Sequence, residues 1–433
     1  MVQTPVMPEH SGQRRQIYFV SPIPPVPTGP ADYMQDFIRA LSAEYRERFA
    51  FFVACDPRDF SPLPSSYEGC AVVPYTHISP RPSDVFIYFL ANNPWHRYVR
   101  RMLADHETGK AYAVLHDIAS SMDALSMCLE KDCGFTPADL PAFFAREFGG
   151  GADLMARMLI CGQLPQLAQY LALAQSIPLE RANAIIVHSH YGKLKILAER
   201  SFGTPVPSVF VLQMPQRAPM DAALLPVDAP SSNQVVKPPK EEFRIGVFGL
   251  VSPHKRVLQV MKALRRYLDG LPISQRNTVH ADIVGGGDEY LTAVMAYVRN
   301  NELEDNVTVH GYVNYAKMNQ LMNESHMIFN LRFPSCGETS ATLANMSKLP
   351  GIVVTSDYAA LREEPADFKV SVGPNELDEL VESIRLTHQS YRKTGTVEKQ
   401  EKLPRGSEHG GQSGKLSVTE LMDALVSEPL LTN

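Results

Sequence analysis

Four segments of this 433-residue chain place residues able to do chemistry directly after short apolar runs. Asn330-Leu-Arg-Phe-Pro-Ser-Cys-Gly-Glu-Thr-Ser340 sets an arginine, a glycine and small polar residues between a strand-like run and a helix-like one. Arg332 can reach phosphate oxygens, Gly337 frees the turn, and the N–H groups of Thr339 and Ser340 can cap an oxyanion. An ordinary helix cap around Ser335 or Thr339 is the competing explanation. Phe248-Gly-Leu-Val-Ser-Pro-His-Lys-Arg256 delivers Lys255 at a helix start after a glycine turn, which suits a phosphate as well as a solvated surface charge. His116-Asp117 ends a third run, where an imidazole can take a proton or meet a hydroxyl and the carboxylate can orient it. Ser21 to Pro30 brings Gly29 to a helix start, either as an anion contact or as part of a stiff proline-rich connection. The Gly285-Gly286-Gly287 turn adds a further point of close backbone approach.

These loops need strands to hold them. Apolar runs predict strands at 17–20, 51–54, 71–73, 85–90, 113–115, 185–187 and 209–212, then at 244–248, 281–284, 307–310, 327–331 and 352–355. Tyr33, Phe37 and Leu41 recur at helical spacing after Gly29, and Val257, Val260, Met261, Leu264 and Leu268 form the apolar stripe of a helix over 256–268. Strand–helix alternation of this kind predicts an α/β protein with parallel sheets covered on both faces, and ligands beyond the carboxyl ends of the strands. The alternation restarts after 220–240, which holds four prolines and no periodicity and reads as a linker. We therefore expect an N-terminal Rossmann-like domain over 1–219, with a helical elaboration at 118–181, and a second Rossmann-like domain over 241–390. The two doubly wound domains are expected to face a cleft. A mobile polar loop is expected at 391–415 and a C-terminal helix and tail at 416–433.

Composition narrows the function. Hydrophobic residues make up 44% and charged residues 20%, and the net charge of −6 argues against a dedicated nucleic-acid binder. The six cysteines show no CxxC pairing, so buried free thiols are expected rather than a zinc site or disulfide framework. Residues 1–16 have no apolar core of a secretory signal, and no run approaches the ~18 apolar residues of a membrane helix. The expected location is the cytoplasm. Arg97, Arg100 and Arg101 beside Tyr98, Val99, Met102 and Leu103 form a modest basic amphipathic stretch, which reads first as a solvated helix face and in the alternative as a site for peripheral contact with the inner face of a membrane.

Taken together, the motifs resemble the GT-B glycosyltransferases of family four, which act with retention on activated sugars. The resemblance spans about residues 16–385. It rests on Pro24-Pro25 through Gly29 to Asp32-Tyr33, on Asn92-Asn93-Pro94-Trp95-His96, on Val114-Leu115-His116-Asp117, and on Ile186-Val187-His188-Ser189. It continues through Pro253-His254-Lys255-Arg256, Gly285-Gly286-Gly287, His310-Gly311-Tyr312-Val313, Arg332…Gly337-Glu338-Thr339-Ser340 and Glu363-Glu364-Pro365. The Asn-Asn-Pro…His and Gly-Glu-Thr-Ser forms look like the branch of bacterial polysaccharide and lipopolysaccharide enzymes.

By that resemblance Lys255 and Arg332 hold the donor diphosphate, and Gly337 to Ser340 supply N–H groups to it. Glu338 reaches the sugar hydroxyls, Gly286, Tyr312 and Val313 lie near base and ribose, Gly29 closes on the phosphate, and His116 meets the sugar and acceptor. The implied reaction moves a hexose of mannose or glucose type from a nucleotide-diphosphate sugar to a glycan or lipid-linked acceptor. No Asp-x-Asp metal motif occurs, so neither metal nor cofactor is expected beyond the donor itself. Three departures stand out. Leu250 replaces a common arginine, with Arg332 read as its substitute; Ala344-Asn345-Met346 lacks the usual second glutamate, leaving Asn345 for the ribose; and Leu349-Pro350-Gly351 shifts a Gly-x-Pro. They motivate the alternative of a non-catalytic nucleotide- or glycan-binding relative.

Overall fold

The computed structural model describes residues 14–130, 133–164, 167–198, 205–215, 242–287, 289–339, 343, 346, 349–397, 399 and 414–427. The linker expected at 220–240 lies outside these residues. The chain divides into two compact units, one holding the described residues up to 215 together with 415–427, the other holding 242–414.

The first unit contains β1 (Arg15–Val20), β2 (Phe49–Cys55), β3 (Ser66–Tyr67), β4 (Cys70–Pro74), β5 (Val85–Leu90), β6 (Lys110–Leu115), β7 (Ala184–Val187) and β8 (Ser208–Val211). They form one sheet in the order β3-β4-β2-β1-β5-β6-β7-β8. Every pairing is parallel except β3 with β4. All six residues of β5 are buried, as expected of a strand covered on both faces rather than one. The β3–β4 hairpin is a strand pair the apolar pattern does not reveal. It turns on Glu68 and Gly69, both at positive φ (49° and 77°), a backbone form that suits a two-residue hairpin. Glu68 is held there by Arg39 and Gln35.

In the second unit β9 (Phe243–Phe248), β10 (Val279–Val284), β11 (Val307–Gly311), β12 (Met327–Asn330), β13 (Ile352–Ser356) and β14 (Phe368–Val370) pair in parallel in the order β11-β10-β9-β12-β13-β14. The chain moves outward from β9 on one side and then restarts on the other with β12. The same reversal occurs in the first unit between β1 and β5. Each reversal opens a crevice at the carboxyl ends of two adjacent strands whose following loops diverge.

The C-terminal segment completes the first unit. Leu416 bridges Leu212 beside β8, and helix Val418–Ser427 buries Val418, Leu421, Met422 and Leu425 in the core that holds Phe19, Phe37 and Phe51. Tyr112 Oη donates to Leu425 O at 2.9 Å and Arg15 Nη1 to Val426 O at 3.3 Å. Leu421→Ala removes a fully buried side chain and is expected to cost about 2–5 kcal/mol, read as a lower denaturant midpoint. Helix Glu376–Thr394 runs past residue 390 and ends at Gly395 (φ 72°), and most of the polar loop expected at 391–415 lies outside the described residues.

Candidate functional site

The crevice between β9 and β12 brings together His254, Lys255, Arg332 and Glu338. After β9 the chain runs through Gly249 (φ 108°) into a short turn, Pro253–Lys255; after β12 it runs through Leu331 to Thr339. Phe333 N–H donates to His254 O at 2.8 Å, which locks the two loops together. Arg332 N–H donates to Ser356 Oγ at 2.9 Å, tying the same loop to the end of β13. On the other side of β9, Gly249 N–H donates to Val284 O, Val251 N–H to Gly286 O, and Gly285 N–H to Gly311 O. A Cβ at Gly285 would lie 1.9 Å from Gly249 O, so only glycine permits that approach. Five strand ends are thus fastened into one platform.

On this platform the Arg332 guanidinium is buried, with 6% exposure, and one arm forms an ion pair with Glu338. Its Nε has no hydrogen-bond partner among the described residues. Ser335 Oγ donates to Glu338 Oε2 at 2.8 Å and accepts from Gly337 N–H at 3.0 Å. Burial works to raise the Glu338 carboxyl, but Arg332, its own backbone N–H, Ser335 and Lys255 together hold it below the usual range. His254 is pushed down to about 4, first by burial and then by Lys255 and Arg332, against the pull of Glu338. It is therefore neutral at ordinary pH. Lys255 and Arg332 both act on the Glu338 carboxylate, and two cations gathered at one strand-end crevice suit an anion.

The predicted donor residues fall into two groups. Lys255, Arg332, Gly337 and Glu338 come together. Gly286 lies on the adjoining loop, with open space where a Cβ would stand, and Tyr312 next to it is 88% exposed. Val313 instead packs its side chain against the apolar cluster of Phe248, Leu321 and Ile328. The N–H groups of Gly337 and Glu338 serve the turn itself, donating to Ser335 and to the Glu338 carboxylate, rather than pointing to an anion as expected. Thr339 is half-buried; Ser340, Ala344 and Asn345 lie outside the described residues.

In the first unit Gly29 opens helix Gly29–Arg39, with nothing within 4 Å of where its Cβ would be. Thr28 Oγ1 accepts from Asn93 Nδ2 at 3.1 Å, which joins the loops after β1 and β5. His116 follows β6 as expected, but Asp117 does not orient it: Asp117 Oδ2 accepts from Asn92 N–H at 2.7 Å. His116 is held instead by rings. Tyr33 meets it edge-on at 4.5 Å, His188 stacks at 5.4 Å, and His96 lies 6.5 Å away. His96 Nδ1 bonds Phe89 O at 2.7 Å and His188 Nδ1 bonds Leu212 O at 3.2 Å, so each Nδ1 carries the proton and each Nε2 is a lone pair. The Nε2 atoms of all three histidines and Tyr33 Oη are buried without a hydrogen-bond partner among the described residues. Burial lowers His96 and His188 to about 4 and holds His116 well below its ordinary value, the last aided by its two neighbours. The sequence marks His96 and His188 only as parts of motifs. Their positions, just after apolar runs like that of His116, are the signal that could have found them.

No family model and no curated protein matches the chain. Solved structures do. Sucrose-phosphate synthase from Thermosynechococcus elongatus is 14% identical with a TM-score of 0.52, covering 88% of this chain and 90% of that one. The catalytic domain of starch synthase IV from Arabidopsis thaliana, bound to ADP and acarbose, is 9% identical with a TM-score of 0.54, covering 88% and 92%. The N-terminal domain of Candida albicans trehalose-6-phosphate phosphatase is 12% identical with a TM-score of 0.52, covering 88% and 90%. The fold is GT-B.

Two sequence expectations change within this GT-B chain. Arg100 does not contribute to a basic face: it is 1% exposed, with Nε 3.6 Å from Asp123 Oδ2 and Nη1 3.4 Å from Gln175 Oε1. Arg97 pairs with Glu130 and Ser126, and Arg101 with Asp105 and the Gly134 carbonyl, so the charges of that stretch are committed within the unit. The second change concerns thiols. All six cysteines are free, but only Cys55, Cys70 and Cys128 are buried, and Cys161 is exposed. No described helix is long and apolar enough to cross a membrane.

Proposed function

We propose that this GT-B chain is a glycosyltransferase. It takes a hexose of mannose or glucose type from a nucleotide-diphosphate sugar, with retention and without a metal, and passes it to a glycan or lipid-linked acceptor in cell-surface polysaccharide synthesis. The observation that carries this reading is the Lys255–Arg332–Glu338 cluster in the crevice between β9 and β12. As the bond from the sugar to the diphosphate breaks, charge builds on the leaving phosphate oxygens, and preorganised cations help most where that charge develops. Glu338, kept ionised, is the acceptor for sugar hydroxyls; exposed Tyr312 is the surface for the base; His116, kept neutral, meets sugar and acceptor. The ADP bound to the starch synthase neighbour supports the diphosphate assignment.

A ligand that binds only the folded state raises its melting midpoint by mass action. At a hundredfold excess over Kd this is worth about 2.7 kcal/mol. The midpoint should therefore rise with one of UDP, GDP or ADP and its sugar conjugate, and the rise should vanish in Lys255→Ala. No change with any of them would defeat the reading. The inward-turned N–H groups of Gly337 and Glu338, together with Leu250, favour a second reading, a non-catalytic relative that binds a nucleotide or glycan as a partner subunit. Binding without transfer to any acceptor in a host extract selects it.

A further inference from the structure

We infer that Arg256 and Glu376 form a clamp that positions Lys255 and the loop after β12 for a diphosphate; this deepens the functional reading above and rests on it. Arg256 has φ 59° and ψ 22°, the left-handed region that a residue bearing a Cβ enters at a cost. Such a conformation persists only where the surroundings over-determine it. Here they do so from several directions. Arg256 N–H donates to Pro253 O at 3.2 Å, and Arg256 O accepts from Gln259 and Val260 N–H at 2.9 and 3.2 Å, capping helix Val257–Asp269. Arg256 Nε donates to Glu376 Oε1 at 2.9 Å, and Nη2 pairs with Glu376 Oε2, a two-pronged contact onto a carboxylate only 4% exposed.

Glu376 is a fixed anchor. It begins helix Glu376–Thr394, whose Leu380, Ile384 and Tyr391 lie in the core of the second unit. That helix is joined to Val257–Asp269 twice more, by Arg266 Nη1 to Asp378 Oδ1 at 2.6 Å and by Tyr267 Oη with His388 Nδ1 at 2.7 Å. The Cζ of the Arg256 guanidinium lies over the Phe333 ring, 5.8 Å from its centroid. Phe333 is the residue whose N–H bonds His254 O, and it directly follows Arg332. One guanidinium thus fixes the turn carrying Lys255, at the preceding position, and steadies the loop carrying Arg332. Arg256 and Glu376 are positioning residues: each acts through Lys255 and Arg332.

Isothermal titration with UDP, GDP and ADP tests this on wild type, Arg256→Gly, Glu376→Gln and the double variant, beside hydrogen–deuterium exchange of the segment containing Phe333. Arg256→Gly keeps the left-handed backbone at no steric cost and removes only the fork. Affinity for the nucleoside diphosphate that wild type binds should fall about tenfold in Arg256→Gly and less in Glu376→Gln, which keeps one hydrogen bond. The double variant should bind no more weakly than Arg256→Gly, because the two residues act as one unit. Exchange at Phe333 should quicken in every variant. Affinity within twofold of wild type in Arg256→Gly overturns the clamp, as does tighter binding in Glu376→Gln, which would make Arg256 a phosphate ligand restrained by Glu376. If wild type binds none of the three nucleotides, the functional reading fails, and exchange alone decides the clamp: unchanged exchange at Phe333 overturns it.

Discussion

Arg332→Ala should lower transfer from the nucleotide-sugar donor by about 10²–10³-fold, the typical cost of removing one preorganised stabiliser of developing charge. The side chain is buried against Glu338, and its Nε lacks a partner among the described residues, so its charge is already desolvated and oriented before a ligand arrives. The fold should survive. Without Arg332 the Glu338 carboxylate still accepts from Ser335 Oγ and its own backbone N–H and still lies in the field of Lys255, which limits the destabilisation to at most about 3 kcal/mol. Arg332→Lys should fall between, because an ammonium keeps the charge but cannot serve Glu338 and a phosphate with a planar fork. The check is transfer of labelled sugar in a host extract, beside a circular dichroism melt. Undiminished transfer in folded Arg332→Ala would remove the residue from the mechanism and leave Lys255 as the cation of the site.

The first unit should lose stability steeply as pH falls from about 6.5 toward 4. His96 and His188, with an ordinary value of 6.5, are lowered to about 4 in the folded chain, and His116 is shifted the same way. The cause is burial in each case, reinforced by Arg100 at His96, by Lys415 at His188, and by the neighbouring imidazoles at His116. A depressed folded-state value means the neutral form is favoured on folding. The contribution is fully present above 6.5 and is lost progressively as pH drops, because the unfolded chain takes up protons that the folded one refuses. A tenfold difference in proton affinity between the two states is worth about 1.4 kcal/mol, so the two groups held near 4 lower the melting midpoint by on the order of 10 °C at pH 5, with His116 acting in the same direction. Melts at intervals between pH 7.5 and 4.5 check this, and His188→Gln should flatten the acid limb. A midpoint constant across that window would mean the cluster is hydrated or already charged.

Much of the architecture is legible in the residues because it follows from local rules. Val85–Leu90 is apolar at every position, and such a run of six fits a strand covered on both faces. Lys255 and Arg332 are readable because each follows an apolar run and precedes a helical pattern, which puts it at the carboxyl end of a strand. What local rules miss is geometry inside the loops. Whether the Gly337 N–H faces outward or bonds Ser335 Oγ depends on turn torsions that residue type leaves open. Arg100 reads as a surface charge because a helical stripe does not reveal that the elaboration at 118–181 will cover it with Asp123 and Gln175.

The sequence by itself determined the α/β alternation, the loops that carry charge, and the glycines that let those loops approach, because these depend on neighbours within a few positions. Only the tertiary structure decided the rest. It set the strand order that puts the loops after β9 and β12 at one crevice, and it returned residues 415–427 to the first unit. It also gathered Tyr33, His96, His116 and His188 around one point and joined Arg256 to Glu376 across 120 positions. Those arrangements arise from pairing and burial between distant segments, whose partners no local pattern specifies.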